Sequence, residues 1–248
     1  MAPSSGSAEA HVSDSPLSLS PEAPEPRIAS ISPPSAEAAL GEYQHAVLSV
    51  SPLDPVCGGE GLRRVATWTG QRFRQGVVLL ADGLEVALLQ VRDGISEAKA
   101  EARVEGARAP FLTTEVAHFK DLPCRYQFAL ASALLDQEPC APFREDTRNA
   151  VFGDSDSERG LTQLAEAWVE RHRGPGVRLS PGLLRQRALD AMVDHLSVLA
   201  YLRSQGWSLH LHQGLCWTFR WMNGEPPFAP PSNLRRMVFV ELGPRIWP

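Results

Sequence analysis

The sequence predicts an α/β fold, a Rossmann-like parallel sheet flanked by helices, and three observations support this prediction. The runs 45-HAVLSV-50 and 77-VVLLAD-82 are short and almost wholly apolar, which is typical of strands that are buried on both faces. Between them, 58-GGEGLRRVATWTGQRFR-74 carries large apolar side chains at near-helical spacing after two glycines. A helix between two buried strands is the βαβ unit of a parallel sheet.

Further elements continue the pattern towards the C-terminus. Ser96 is a typical N-cap, and the strong helix former EAKAEARVEGAR follows it. Helical patterns also predict helices over 161–172 and 181–202. Three pieces have the pattern of strands, and these are 208-SLHLH-212, 215-LCWTFRW-221 and 237-MVFVEL-242.

The first 42 residues differ in composition from the rest. Residues 1–40 hold ten Ser, seven Pro and eight Ala, with five acids and one base. Such a segment buries too little apolar surface to offset its ordering entropy, so we predict a disordered leader over 1–42. It lacks the basic start and apolar core of a signal or transit peptide. A single Rossmann-like domain is predicted over 43–248.

Charge, hydropathy and cysteine content exclude several classes of protein. The formal charge is −5, and most of it lies in the leader, so bulk positive charge cannot drive nucleic-acid binding and a local basic face would be needed. No apolar run is long enough for a membrane span. The four cysteines form no CxxC pair, so we expect reduced thiols in a cytoplasmic chain and neither a disulfide frame nor a metal site. We also expect a monomer.

The most informative stretch is 49-SVSPLDPVCGG-59, at the end of the first predicted strand. Ligands of parallel α/β sheets bind beyond the carboxyl ends of the strands. Ser51 is a candidate nucleophile there, and the amides of the helix that follows could stabilise an oxyanion. An ordinary loop in which Ser51 and Asp54 cap that helix explains the same residues.

Other sets of residues carry weaker signals. Cys57 could form a thiol-hydrolase triad with His118 and either Asp121 or Asp136, but the spacing matches no triad motif, and buried cysteines are common. His210 and His212 share one strand face as a possible metal pair without an evident third ligand, so partly exposed strand histidines explain them better. GxGxxG, P-loop and GxSxG motifs are absent from the sequence.

Two aspartates stand on one face of the predicted helix 181–202. Asp190 and Asp194 are four residues apart in 189-LDAMVDHL-196, so they share a face of a mostly apolar helix. A solvated face is the plain explanation. A carboxylate that points into a pocket would instead bind an ammonium or guanidinium group.

The order of these motifs resembles the tRNA-dependent cyclodipeptide synthases. In that family a strand of the form H-A-[LV]-[IL]-G-[IV]-S-x-x-N ends in the catalytic serine, followed by a helix with W-x-G-Q-R-F and an apolar strand ending in Asp. Here 45–51, 68-WTGQRF-73 and 77–82 match, and 93-DGISEAKA-100 is similar to the next helix. The resemblance is strong over 45–108, moderate over 180–194 and weak elsewhere.

The resemblance implies site residues, with departures. Ser51 falls on the catalytic serine. The family's glycine two residues earlier is Ser49 and its asparagine is Asp54, and both are substrate-binding candidates. The helix tyrosine and glutamate become Asp190 and Asp194. Further candidates are Trp217 in place of a later tyrosine, Leu196 as a substrate-binding residue, and Arg63, Arg64, Arg103 and Arg108 as tRNA contacts.

The resemblance also implies a fold and a reaction. The fold would be similar to the catalytic domain of class I aminoacyl-tRNA synthetases, without ATP or another cofactor. In a ping-pong reaction, Ser51 would take the aminoacyl group of one aminoacyl-tRNA, a second would extend it, and cyclisation would release a diketopiperazine. Asp194 would anchor the α-ammonium group, and Asp190 would favour a cationic residue such as arginine. The alternatives are an inactive relative that binds tRNA or another partner, a Cys57 hydrolase, and a structural or regulatory protein.

Overall fold

A computed structural model of the chain describes residues 26–54, 57–213, 217, 234 and 237–243. Over these residues the strands are β1 Ile28–Ser32, β2 His45–Val50, β3 Gln75–Leu80, β4 Arg125–Leu130, β5 Leu209–Gln213 and β6 Val238–Leu242. The α-helices are α1 Gly59–Arg72, α2 Asp82–Asp93, α3 Glu97–Glu115, α4 Ala131–Leu135, α5 Ala141–Phe152, α6 Ser155–His172 and α7 Pro181–Ser204.

The six strands form one sheet in the order β1-β6-β5-β2-β3-β4. Strands β6, β5, β2, β3 and β4 pair in parallel, which confirms the predicted parallel sheet and the βαβ unit. Strand β1 pairs antiparallel with β6, so the complete sheet is mixed. Strand β2 lies between β3 and β5, which puts its carboxyl end in the middle of one sheet edge.

The prediction of a disordered leader over 1–42 is wrong for residues 26–42. Strand β1 lies in this segment, and short 3-10 turns follow at Pro34–Ala36 and Leu40–Glu42. Ile31 is buried in the apolar core, and the strand gains backbone hydrogen bonds from β6. Because the pairing partner lies about 200 residues away, local composition cannot reveal it. Residues 1–25 lie outside the described part.

The sheet separates two apolar cores. Strand β2 contributes to both of them, because its side chains alternate between the faces of the sheet. Val47 joins the core built largely on α5, α6 and α7. Leu48 and Val50 join the core that packs against α1. Side chains at positions 49 and 51 therefore face the same side as Val47, towards α7.

One glycine in the sheet tests this packing. A Cβ atom added at Gly76 in β3 would lie 2.4 Å from Cε1 of Tyr126, its partner residue in β4. The phenol of Tyr126 is held by Thr69 and by the carbonyl oxygen of Ala66, so the ring cannot swing away freely. Overpacking of this kind typically costs about 1–3 kcal/mol.

We therefore expect Gly76→Ala to lower the free energy of unfolding by about 1–3 kcal/mol in urea titration. The control is Gly106→Ala in the interior of α3, where a Cβ would meet nothing within 4 Å. That change should raise stability by about 0.5–1 kcal/mol, because alanine favours helix. Equal effects of the two substitutions would contradict the packing described for β3 and β4.

Candidate active site

Ser51 lies one residue beyond β2, at the carboxyl end of a central strand. Its side chain is half-buried and contacts α2, a helix that packs against α7. The turn that follows is closed by hydrogen bonds from the Asp54 amide to the Ser51 carbonyl and from the Cys57 amide to the Asp54 carbonyl. The structure thus places a hydroxyl group at the sheet edge where parallel α/β proteins bind ligands.

A buried carboxylate, which the sequence analysis missed, holds this hydroxyl group. Ser51 Oγ donates to Glu85 Oε1 at 2.5 Å, and the Leu53 amide donates to the same oxygen at 2.7 Å. Glu85 lies in the first turn of α2 and is only 2% exposed. Its Oε2 atom has no hydrogen-bond partner among the described residues.

The surroundings of Glu85 favour its protonated form. Burial raises the pKa of Glu85 to about 7, against the lowering effect of the hydrogen bonds from Ser51 and Leu53. The negative charges of Asp82 and Asp54 raise it further. Glu85 is therefore poised to gain or lose a proton near neutral pH.

Asp82, three residues before Glu85, connects α2 to α4 through hydrogen bonds. Its carboxylate accepts a hydrogen bond from the Ser132 amide at 3.0 Å and another from the Ser132 hydroxyl. The run 77-VVLLAD-82 predicts Asp82 at the end of a strand, whereas strand β3 ends at Leu80 and Asp82 begins α2. The signal for Glu85 was present, since an acid three residues further along the same helix shares its face.

A cavity of about 930 Å³ lies between α2, α3, α4 and α7. Its wall is acidic, because seven carboxylates and only three arginines line it. The carboxylates are Asp82, Glu97, Glu101, Glu105, Asp136, Asp190 and Asp194, and the arginines are Arg108, Arg144 and Arg187. Two buried side chains with an unpartnered nitrogen, Gln90 Nε2 and His195 Nδ1, also belong to its lining residues.

Asp190 and Asp194 both line this cavity, but they do not share it with Ser51. Neither Ser51 nor Glu85 lines the cavity. The connection runs along α2, where Asp82 lines the cavity and Glu85 holds Ser51. These two carboxylates are three residues apart, less than one helical turn.

Arg144 of α5 already compensates the charge of Asp194. Its guanidinium group makes a bidentate pair with Asp194, with nitrogen–oxygen distances of 2.9 and 3.0 Å. Burial nevertheless raises the pKa of Asp194, because desolvation outweighs the favourable charge of Arg144. Asp190 is more loosely placed, 3.7 Å from Arg148 and 3.2 Å from Gln186. A substrate ammonium group at Asp194 would therefore have to share it with Arg144 or displace that side chain.

Ser49 and Leu196 are corrected from substrate contacts to interior residues. Ser49 is 3% exposed, and its Oγ lies 2.6 Å from Nε2 of His210 in β5. Leu196 has no exposed surface and belongs to the core around α7. Neither side chain offers a surface for a substrate in this arrangement.

The ring of Trp217 lies 6.0 Å from the ring of the buried His195. The helical backbone of Trp217 disagrees with the strand predicted over 215–221, and the other residues of that segment lie outside the described part. His210 is also buried, not partly exposed as predicted. Among the described residues, no group of three or more His, Cys, Asp or Glu side chains could hold a metal ion.

The structure contradicts the alternative of a thiol-hydrolase triad at Cys57. Cys57 is 3% exposed within the apolar core, and burial raises its pKa to about 12, so the thiol stays protonated and unreactive. His118 pairs with Glu115 at 3.1 Å. Glu115 also accepts the Gly59 amide at 2.9 Å, so this first amide of α1 is not free to stabilise an oxyanion.

The four arginines predicted to contact tRNA all form ion pairs on the protein itself. Arg63 and Arg64 of α1 both pair with Glu60. On α3, Arg103 pairs with Asp93, and Arg108 pairs with Glu105. Among the described residues, no helix combines the length and the apolar character needed to cross a bilayer.

The fold and the position of Ser51 define an α/β domain of the Rossmann-like type found in class I aminoacyl-tRNA synthetases. Comparison with solved structures agrees. A tyrosyl-tRNA synthetase from Archaeoglobus fulgidus superposes with a TM-score of 0.50 and 12% identity, covering 87% of this chain and 61% of that one. No protein-family model and no curated protein sequence matches the chain.

The likeness is greater to cyclodipeptide synthases. AlbC from Streptomyces noursei superposes with a TM-score of 0.66 and 18% identity, covering 82% of this chain and 97% of that one. A cyclodipeptide synthetase from Mycobacterium tuberculosis gives a TM-score of 0.63 and 15% identity, covering 90% of this chain and 97% of that one. The chain therefore has the fold of the cyclodipeptide synthases, as the resemblance of its motifs implies.

Proposed function

We propose that the chain is an aminoacyltransferase of the cyclodipeptide synthase type, which joins two aminoacyl groups from aminoacyl-tRNAs into a diketopiperazine. The observation that carries the proposal is the Ser51 hydroxyl group, held by Glu85 at the carboxyl end of β2 within this fold. The ester of an aminoacyl-tRNA is already activated, so a well-placed serine can attack it without ATP.

The proposed reaction proceeds by ping-pong through an aminoacyl ester on Ser51. The amine of this bound residue then attacks the ester of a second aminoacyl-tRNA, and the resulting dipeptidyl ester cyclises and releases Ser51. Asp194 is the proposed anchor for the α-ammonium group of the bound residue, because it is a partly buried carboxylate in the wall of the cavity.

We further propose that arginine is one of the two amino acids that the protein joins. An aminoacyl side chain that starts at Ser51 and passes Asp82 would enter the acidic cavity, where Asp190 and Asp194 face it. A guanidinium group would bring positive charge and hydrogen-bond donors to a wall in which seven carboxylates outnumber three arginines.

The decisive experiment supplies the full-length protein with tRNA charged with all amino acids and analyses the products by mass spectrometry. Cyclic dipeptides that contain arginine are expected. The complete absence of cyclic dipeptides would refute the proposed function, whereas cyclic dipeptides without arginine would refute the arginine assignment alone.

A binding protein without activity is the second candidate. The pairing of Asp194 with Arg144 favours it, because the proposed ammonium anchor is occupied. Such a protein would bind tRNA in a filter-binding assay and yield no product, and its tRNA affinity would not change in a Ser51→Ala variant.

Asp190 provides a test of the arginine assignment. We expect Asp190→Asn to lower kcat/KM for arginyl-tRNA by about 10-fold, which matches the loss of one exposed charge-assisted contact of about 1.4 kcal/mol. Glu166→Gln is the matched control, because Glu166 also pairs with an arginine, Arg185, but does not line the cavity. An equal loss in both variants, measured in competition with a neutral aminoacyl-tRNA, would contradict the assignment.

A further inference from the structure

Glu85 has no role in the reaction as proposed so far, yet it is the residue that contacts the reacting hydroxyl group. The distance of 2.5 Å from Ser51 Oγ to Glu85 Oε1 lies at the short end of the range for a hydrogen bond from a hydroxyl group to a carboxylate. General-base catalysis requires this contact, because the base must reach the proton that it removes.

We infer that Glu85 is the catalytic base that activates Ser51, which rests on the proposed function for the identity of the substrate. The Ser51 Oγ–H proton passes to Glu85 Oε1 as Oγ forms a bond with the ester carbonyl carbon. The bond from that carbon to the ribose oxygen of the tRNA then breaks, and the proton moves from Glu85 to the ribose oxygen. Ser51 carries the aminoacyl ester, and Glu85 is restored.

The hydrogen bonds around Glu85 differ from those of a carboxylate with a structural role. Both bonds from Ser51 and Leu53 fall on one oxygen, while the other oxygen is buried without a partner among the described residues. An incompletely satisfied buried carboxyl group lowers stability, so packing alone does not favour a glutamate here. Glu115 also receives its two contacts, from the Gly59 amide and from His118, on one oxygen, but neither of its oxygens is buried without a partner among the described residues.

The groups that face Glu85 set it up for proton transfer. Among the described residues, the ionisable groups that interact with it are Asp82 on its own helix, Asp54 on the loop after β2 and the thiol of Cys57 before α1. None of them carries a positive charge. Burial and the two aspartates together raise the pKa of Glu85 to about 7, close to the optimum for a base at neutral pH.

The test is the rate of acylation of Ser51 in single-turnover reactions with arginyl-tRNA, followed by intact-mass spectrometry between pH 5.5 and 7.5. In the wild-type chain the rate should rise about tenfold per pH unit below pH 7 and level off above it, because the carboxylate form is the active one. We expect Glu85→Gln to lower the rate by about 10²–10⁴-fold and to remove this pH dependence. Glu85→Asp keeps the carboxyl group, so it should retain part of the acylation rate and part of its pH dependence.

Glu115→Gln is the matched control, since Glu115 is also a buried glutamate that accepts a backbone amide near the same loop. It should leave the rate and the pH profile unchanged. A rate in Glu85→Gln within threefold of the wild type, or a wild-type profile that is flat across pH 7, would overturn the inference.

A second probe separates this inference from the proposed function. Phenylmethylsulfonyl fluoride labels activated serines without tRNA: Oγ bonds to sulfur, fluoride leaves, and the base takes the hydroxyl proton. If Ser51 is labelled in a Glu85-dependent manner but never carries an aminoacyl group, the proposed function fails and the role of Glu85 stands. If labelling and aminoacylation both occur unchanged in Glu85→Gln, the function stands and the role of Glu85 fails.

Discussion

Replacing Ser51 with alanine is expected to abolish both the aminoacyl-enzyme and the cyclic dipeptide, with a loss of at least about 10³-fold in rate. The substitution removes the oxygen that would carry the acyl group, and no other hydroxyl group lies within hydrogen-bond distance of Glu85 among the described residues. The measurement combines intact-mass detection of the acyl group with mass spectrometry of the product. Fold integrity is checked by circular dichroism.

Two other serines serve as controls for Ser51. Ser204→Ala removes an exposed hydroxyl group at the end of α7, so activity should not change. Ser49 lies on the same strand face but is buried against His210, so Ser49→Ala should still form the acyl-enzyme. Formation of product by the Ser51→Ala variant would assign the chemistry to another residue.

The central part of the fold could be predicted from the sequence because its signals are local. Strands β2 and β3 are buried on both faces and therefore read as continuous apolar runs. The helix between them shows its buried stripe, since Leu62, Val65 and Trp68 all pack inwards. Their order then placed Ser51 correctly at the carboxyl end of a parallel strand.

Elements that depend on distant partners escaped prediction. Strand β1 sits in a Ser/Pro/Ala-rich segment and is stabilised by pairing with β6, far away in sequence. Strand β4 lies at the other edge of the sheet, where an apolar run is not required, and its sequence RYQFAL mixes polar and apolar residues. Neither strand carries the continuous apolar signal of the buried ones.

The site was predicted only in part for the same reason. Ser51 and Asp194 were found by their positions on elements, whereas their partners come from other elements. Glu85 is 34 residues from Ser51, and Arg144 is 50 residues from Asp194. The packing of α2 brings Glu85 to the Ser51 hydroxyl group, and the packing of α5 brings Arg144 to the Asp194 carboxylate.

The buried histidines predict a strong dependence of stability on pH. His195 and His210 face each other across α7 and β5, with ring centroids 6.3 Å apart, and both are buried. Burial lowers the pKa of His195 to about 3 and that of His210 well below its usual range, and the charge of His212 lowers both further. Both histidines are therefore neutral in the folded protein at pH 5.

A histidine whose pKa falls on folding stabilises the folded state above the unfolded pKa of about 6.5, and this contribution is lost as the pH falls. Between pH 6.5 and 5 the loss is about 1.5–2 kcal/mol for His195, and His210 adds a loss in the same direction. Glu85 acts in the opposite sense, because its raised pKa stabilises the fold towards acid and offsets part of that loss.

Comparison of variants removes the contribution of Glu85, which all of them share. We expect His195→Gln to lose about 1.5–2 kcal/mol less than the wild type between pH 6.5 and 5, measured by urea unfolding at each pH. The control is His172→Gln. His172 ends α6 and is not one of the two buried histidines, so this variant should keep the wild-type pH dependence. Parallel pH curves for His195→Gln and the wild type would show that His195 takes up its proton without unfolding. In that case water must reach its unpartnered Nδ1 atom through the acidic cavity, which His195 lines.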